Sequence, residues 1–362
     1  LRLLCAFAPL REILSSQLLI LMPSRLWYMN ADFETELAAP MGQYRRLPSY
    51  EMLNRRLAAH LLWLASQGDA LLLESPWPDS LQAEAARRGV RLVSPTNALP
   101  QTSRIFTPWG WTPTAVAAGQ QAQAIVQPIP HEVVARVNSK LWSHELEKEL
   151  GIAQEGAATA SSFAELQEAV ARACPAPQDK WVIKSPFGFA ARDRVLGRGP
   201  SIDEPQAKWS LRRLSKGETL IFQPWLEVKR EYGIVMEISH NGAFEIQGIS
   251  DLQTNGAGTG TGYILGRTPA PHRLRELESI ALIVAQRLFE ENYFGPVGID
   301  ALEHAGGLHP LLEINARYTM GFVALAVERE LNPGAPIFWS TKESPAKALV
   351  GKGRREESCQ DR

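Results

Sequence analysis

The stretch Gly298–Arg317, G-I-D-A-L-E-H-A-G-G-L-H-P-L-L-E-I-N-A-R, leaves this chain few ways to fold. Two runs rich in branched apolar residues flank Gly306-Gly307, a dipeptide suited to the left-handed backbone of a tight hairpin turn. A turn centred there sets Asp300 directly opposite Glu313. Asn315, two residues on, shares the face of Glu313, while Leu312 and Ile314 are expected to point the other way, into a core. Two facing carboxylates repel unless something cationic lies between them. Two carboxylates and an amide oxygen aimed at one spot suit Mg²⁺, or Mn²⁺, completed by substrate phosphates and water. With no ion there, Glu313 should face a charged neighbour such as a lysine. An exposed polar hairpin face would show the same pattern, so the remainder of the chain has to decide.

A chain of 362 residues can bury two or three cores. Hydrophobic residues at 45% and charged residues at 21% are ordinary for a globular protein. A net charge of −1 provides no overall attraction for nucleic acid or a membrane surface. Cys5, Cys174 and Cys359 lie too far apart for a CxxC site or a disulfide framework, which points to reduced thiols in the cytoplasm. The first twenty residues are apolar but broken by Pro9, Arg11 and Glu12, so they read neither as a signal peptide nor as a span, and fall outside the expected core.

In chain order, a buried strand is expected at Leu18–Met22, a helix over residues 49–66 and a strand at Asp69–Glu74. A short helix at Ser80–Arg88 and a strand at Val90–Val93 follow. Such alternation predicts a small α/β domain on a parallel sheet, with P-W-G-W-T-P (Pro108–Pro113) as a loop. Asn138 is a candidate cap for a helix carrying Trp142, Leu146 and Leu150, and Ser162 with Glu165 reads as a capping box. Lys184 ends the strand W-V-I-K, and the turn after it offers Gly188, Arg192 and Arg194, backbone donors and cations of the kind a polyphosphate needs. Strands are expected at Thr219–Phe222, from Arg230-Glu231-Tyr232-Gly233 and at Ala243–Ser250, and N-G-A-G-T-G-T-G (Asn255–Gly262) reads as a long flexible loop. Pro271 opens a helix with Leu277, Ala281, Val284 and Leu288 on one face.

Taken together, Lys140 at a helix start, V-I-K at Lys184, Q-P-W-L at Gln223–Leu226, R-E-Y-G and D…E-I-N-A-R resemble the ATP-grasp superfamily over roughly residues 120–330. The resemblance implies an α/β N-terminal domain (residues 1–119) and an α+β ATP-grasp fold of two subdomains with ATP held between them (residues 120–345, divided near 223–228). Residues 346–362 would form a flexible tail. It implies that Lys140 and Lys184 contact ATP phosphates together with Gly188 and Arg194 of the loop. Gln223, Trp225 and Leu226 would form the hinge that reads the adenine edge, and Glu231 would approach the ribose. Asp300, Glu313 and Asn315 would hold Mg²⁺, and Arg317 would act with Lys184 on the transferring phosphate or a substrate carboxylate.

Three positions depart from the family pattern. Ala190-Ala191 stand where glycines are frequent, Gln223 replaces a glutamate, and Gly298 stands where D-alanine–D-alanine ligases carry an arginine. The implied activity is a ligase that joins a small-molecule carboxylate to an amine or thiol through an acyl phosphate. A kinase for a small molecule and a nucleotide-binding module without turnover are the alternatives. No nucleic-acid or membrane partner is implied, and a homodimer is a possible assembly.

Overall fold

The computed structural model describes residues 24–95, 104–188 and 193–341. The expected strand at Leu18–Met22, the Ala190-Ala191 pair, Arg192, two of the three cysteines and the tail all lie outside these residues.

The N-terminal unit is a four-stranded parallel sheet in the order β3-β2-β1-β4. It comprises β1 (Arg25–Tyr28), α1 (Phe33–Leu37), α2 (Pro48–Leu57), β2 (Ala70–Leu72), α3 (Asp79–Arg87), β3 (Arg91–Val93), β4 (Ile105–Pro108) and α4 (Pro113–Gln121). The single helix expected over 49–66 is instead α2 followed by a tighter 3₁₀ segment, Ala58–Trp63. Sequence reading missed β4, because its last residue, Pro108, looks like loop. On an edge strand a proline costs the sheet no ladder bond, and Trp109 restores contact by donating to the Tyr28 carbonyl at 2.8 Å.

Next come α5 (His131–Val137), α6 (Lys140–Glu149), β5 (Ala158–Ala160), α7 (Phe163–Ala173), β6 (Lys180–Lys184), β7 (Arg194–Arg198), α8 (Glu204–Leu214) and β8 (Leu220–Pro224). Their strands form an antiparallel sheet, β5-β8-β6-β7, packed on α7 and α8. The last unit holds β9 (Val228–Ile238), β10 (Phe244–Thr254), β11 (Gly260–Leu265), α9 (Pro271–Glu290), β12 (Gly295–His304), β13 (Gly307–Asn315), α10 (Met320–Leu331) and β14 (Ile337–Ser340). Its six antiparallel strands run β13-β12-β9-β10-β11-β14. Leu277, Ala281, Val284 and Leu288 of α9 are fully buried in one core with Ile234, Met236, Val297 and Ile299 of that sheet.

The expected glycine-rich loop is a compact turn between β10 and β11. Asn255 Oδ1 accepts from the N–H groups of Ala257 and Thr259, both at 3.0 Å, which closes the turn locally. Asn138 is not the cap of α6. Ser139 caps it, accepting from the Leu141 N–H at 3.3 Å, whereas Asn138 ends α5 and spends its amide on the edge of the large sheet. Its Oδ1 accepts from the Ala316 N–H at 2.8 Å and its Nδ2 donates to the Val134 carbonyl at 2.8 Å. Both residue types cap helices, so V-N-S-K alone could not tell them apart. Because Asn138 is buried, Asn138→Ala orphans the Ala316 N–H and is expected to cost about 1–3 kcal/mol, read as a lowered urea midpoint. An unchanged midpoint would mean that water takes the place of the amide.

Candidate active site

The β12–β13 hairpin pairs Gly298 with Asn315, Ile299 with Ile314 and Asp300 with Glu313. The pairing of the two acids is the one expected, yet the path to it differs. Near the turn Glu303 pairs with Leu308 and His304 with Gly307, so the turn lies one residue earlier, on Ala305-Gly306. Gly307 follows it with a φ of 131°, a region open chiefly to glycine. A bulge in β13 between His309 and Glu313 then restores the register. Pro310, without an N–H, stands in the interrupted stretch. The bulge also corrects the expectation for Leu312, which lines the cleft while Leu311 is fully buried in its place.

The hairpin face forms one wall of a cleft of about 1040 Å³, also lined by Lys140, Lys184, Gly188, Arg194, Glu231 and Arg317. Lys140, at the start of α6, donates to Glu313 Oε1 at 2.6 Å and to the Gly188 carbonyl at 2.9 Å. It is the charged neighbour expected of Glu313. Arg194 donates to the Ala257 carbonyl, and Glu231 Oε1 accepts from the Thr254 hydroxyl at 2.7 Å. Asn315 Nδ2 donates to Asp300 Oδ2 at 3.2 Å.

Arg317 turns out to be held by the N-terminal domain. Its Nε donates to Glu34 Oε1 at 2.7 Å, a second guanidinium nitrogen reaches the same oxygen, and further bonds run to Asn315 Oδ1 at 3.0 Å and the Tyr318 carbonyl at 2.8 Å. Sequence reasoning missed Glu34. Its only signal was an acid in the short helix D-F-E-T-E-L, far from the hairpin in sequence. Gly298 is tightly enclosed, since a Cβ there would meet Thr319 Cγ2 at 2.6 Å, so a larger side chain has no room without a shift.

The expected hinge is only partly brought to the site. Gln223 is buried and faces a small cavity of about 10 Å³ with Lys184, His144, Glu147 and Leu312. Trp225 and Leu226 do not line the cleft, and the Trp225 N–H is committed to the Lys180 carbonyl at 2.8 Å, which takes it away from a base edge.

Burial dominates the site's electrostatics. It pushes the Lys184 ammonium down to about 8, against the pull of Glu313 and helped by Lys140 and Arg194. Burial lowers Arg194 from its ordinary value and raises Glu231. Asp300 opens onto the cleft but sits deep in the protein, and burial followed by the charges of Glu313 and Glu231 lifts it to about 7. For Glu313 burial acts upward too, but the Lys140 ammonium prevails and its carboxyl stays below the usual range. Among the described residues no three His, Cys, Asp or Glu side chains make a metal cage of their own. Two carboxylates and an amide do fit Mg²⁺, which normally keeps phosphate and water ligands. An ion among these acids would also offset the burial and the repulsion from Glu313 and Glu231 that raise Asp300.

A raised acid has a definite consequence for stability. Between its unfolded value near 4 and about 7, the folded protein holds a proton on Asp300 that the unfolded chain has released, so stability falls as pH rises through that window. Asp300→Asn is expected to flatten this decline and leave the metal-free protein at least ~1 kcal/mol more stable than wild type at pH 8. Denaturant titrations at pH 5 and pH 8 check it, and parallel slopes in the two proteins would refute it.

No protein-family model and no curated protein sequence matches the chain. Solved structures do. The N5-carboxyaminoimidazole synthetase of Staphylococcus aureus complexed with ADP shares 10% identity over 92% of this chain and 78% of that one, with a TM-score of 0.51. A biotin carboxylase from Campylobacter jejuni shares 11% over 76% and 65%, at 0.52. An L-amino acid ligase from Bacillus licheniformis shares 13% over 85% and 71%, at 0.50. At such identities the likeness is one of fold, and the fold is ATP-grasp, preceded by an α/β domain.

Proposed function

We propose that this ATP-grasp chain is an ATP- and Mg²⁺-dependent ligase that joins a small-molecule carboxylate to an amine, or a thiol, through an acyl phosphate, releasing ADP and phosphate. One observation carries the reading. A single cleft places Lys140, Lys184 and Arg194 beside Glu231, Asp300, Glu313 and Asn315, so that cations for a polyphosphate stand next to oxygens for its metal. In this reading the reaction is cytoplasmic, which the free thiol of Cys174 supports.

In this reading Lys184 and Arg194, neither engaged with a carboxylate among the described residues, bind the phosphates of the substrate ATP. Lys140 leaves Glu313 to join them. Asp300, Glu313 and Asn315 hold Mg²⁺, which when bound neutralises charge on the transferring phosphoryl group. Gln223, beside Lys184, offers its amide oxygen to the adenine amino group, and Glu231 approaches the ribose. Arg317, oriented by Glu34 and Asn315, presents its guanidinium to the substrate carboxylate or the phosphoryl group. The acyl group then passes to the amine and phosphate leaves. A deep cleft keeps water from intercepting the activated acyl group.

Three measurements test this. MgADP at a hundredfold excess over its dissociation constant should stabilise the protein by roughly 2.7 kcal/mol, and Lys184→Ala should lose most of that gain. Equal thermal shifts in the two proteins would place the phosphates elsewhere. ADP release screened against carboxylate pools with hydroxylamine should yield hydroxamates, whereas release without hydroxamate would indicate phosphorylation of a hydroxyl. With an active pool in hand, Glu313→Gln should lower kcat by more than about tenfold, or ~1.4 kcal/mol of barrier, without a matching loss of stability. Unchanged turnover would remove Glu313 from the catalytic metal site.

A further inference from the structure

The cleft does not end at Arg317. Its volume of about 1040 Å³ sits at the top of the roughly 300–1,000 Å³ typical of one small-molecule site, and it continues under the N-terminal domain. There its wall changes character. Met29 just after β1, Leu53 and Leu57 of α2, and Leu62, Leu73 and Leu81 replace the charged groups of the nucleotide end. The charges that remain are unequal. Glu84 is neutralised by Arg87 and Arg88, at 2.7 and 2.6 Å. Arg55 donates to the Pro76 carbonyl. Arg56 has no hydrogen bond or ion pair among the described residues and stands at the mouth of this end.

His60, one helical turn beyond Arg56, lines the same wall. The side chain is buried and its Nδ1 lies 3.1 Å from the Leu57 carbonyl. The Thr341 carbonyl is the ring's other backbone partner, so the hydrogen bonding of His60 is directed at the chain and not into the cavity. Burial, with Arg56 acting in the same direction, keeps the ring below its ordinary pKa, so His60 adds no positive charge beside Arg56.

The geometry points to this end of the cleft as the site of the carboxylate substrate, with an apolar body against the leucines and a distal anionic group on Arg56. Which end of the molecule reacts rests on the ligase reading, because only that reading sends the other carboxylate toward Arg317 and the metal residues. Apolar walls contribute through the area removed from water, so a longer body binds more tightly until the pocket is filled. Arg56, exposed at the mouth, adds a charge-assisted contact that selects a second anion.

The test uses acetate, octanoate and suberate as probes on the full chain, by calorimetry with and without MgADP. Octanoate should bind more tightly than acetate, and suberate more tightly than octanoate by about tenfold, the ratio expected for one hydrogen-bonded ion pair. In Arg56→Ala, with an apo melting temperature like that of wild type, the advantage of suberate should vanish while that of octanoate over acetate persists. Octanoate no better than acetate would overturn the apolar site. Suberate no better than octanoate, or an advantage that survives Arg56→Ala, would overturn the anion contact. Failure of MgADP to bind would sink the ligase reading while the probe series without nucleotide still decides this one.

Discussion

Two acids and two bases share one cleft here without pairing with each other. Lys184 and Arg194 are driven toward their neutral forms, and so are Asp300 and Glu231. In contact, each pair would have shifted the opposite way, toward full ionisation. That both sets lose to burial shows that the attraction across the cleft is weaker than the cost of leaving water. No ion pair joins Asp300, Glu231, Lys184 or Arg194 to an opposite charge among the described residues. Beside them, Glu313 and Glu34 have close cationic partners, Lys140 and Arg317. The sheet and helices thus hold four charges short of their complements, and a polyphosphate with its cation would supply both at once.

Much of this could be read from the residues, for local reasons. The Asp300–Glu313 pairing follows from alternation and a glycine pair, and two departures, an earlier turn and a bulge at Pro310, cancel by the time the strands reach the acids. They do not cancel at Leu312, which changes face. Helix α9 was legible because its apolar period is long and uninterrupted, whereas β4 was hidden by prolines whose tolerance depends on lying at a sheet edge. What sequence could not convey is long-range: Glu34 meets Arg317 across 283 positions, and the Trp225 N–H is lost to Lys180 because β6 and β8 are neighbours.

The N-terminal domain is fastened to the site as well as placed beside it. Asp32, fully buried, accepts from Tyr44, Arg46 at 2.6 Å and Asn54 at 2.7 Å, and so fixes the short helix that presents Glu34. Glu36 of the same helix accepts from the Thr114 N–H at 2.8 Å. Trp27 and Trp109 pack on Tyr318, the residue after Arg317, with ring centroids at 5.3 and 6.3 Å. Arg317 is therefore positioned by both domains, and its orientation depends on how closely they sit.

Strand β13 ends the six-stranded sheet, and an end strand usually presents a row of unpaired donors to solvent, ready to recruit a strand from another molecule. Here that row is taken. The Ile314 N–H donates to Ser143 Oγ at 3.2 Å, the Ala316 N–H to Asn138, and Pro310 has none to offer. The strand that carries Glu313 and Asn315, proposed here as metal ligands, is thereby shielded from the commonest route by which sheets grow into aggregates. At high concentration, intermolecular strand addition would have to begin at the opposite end, along β14.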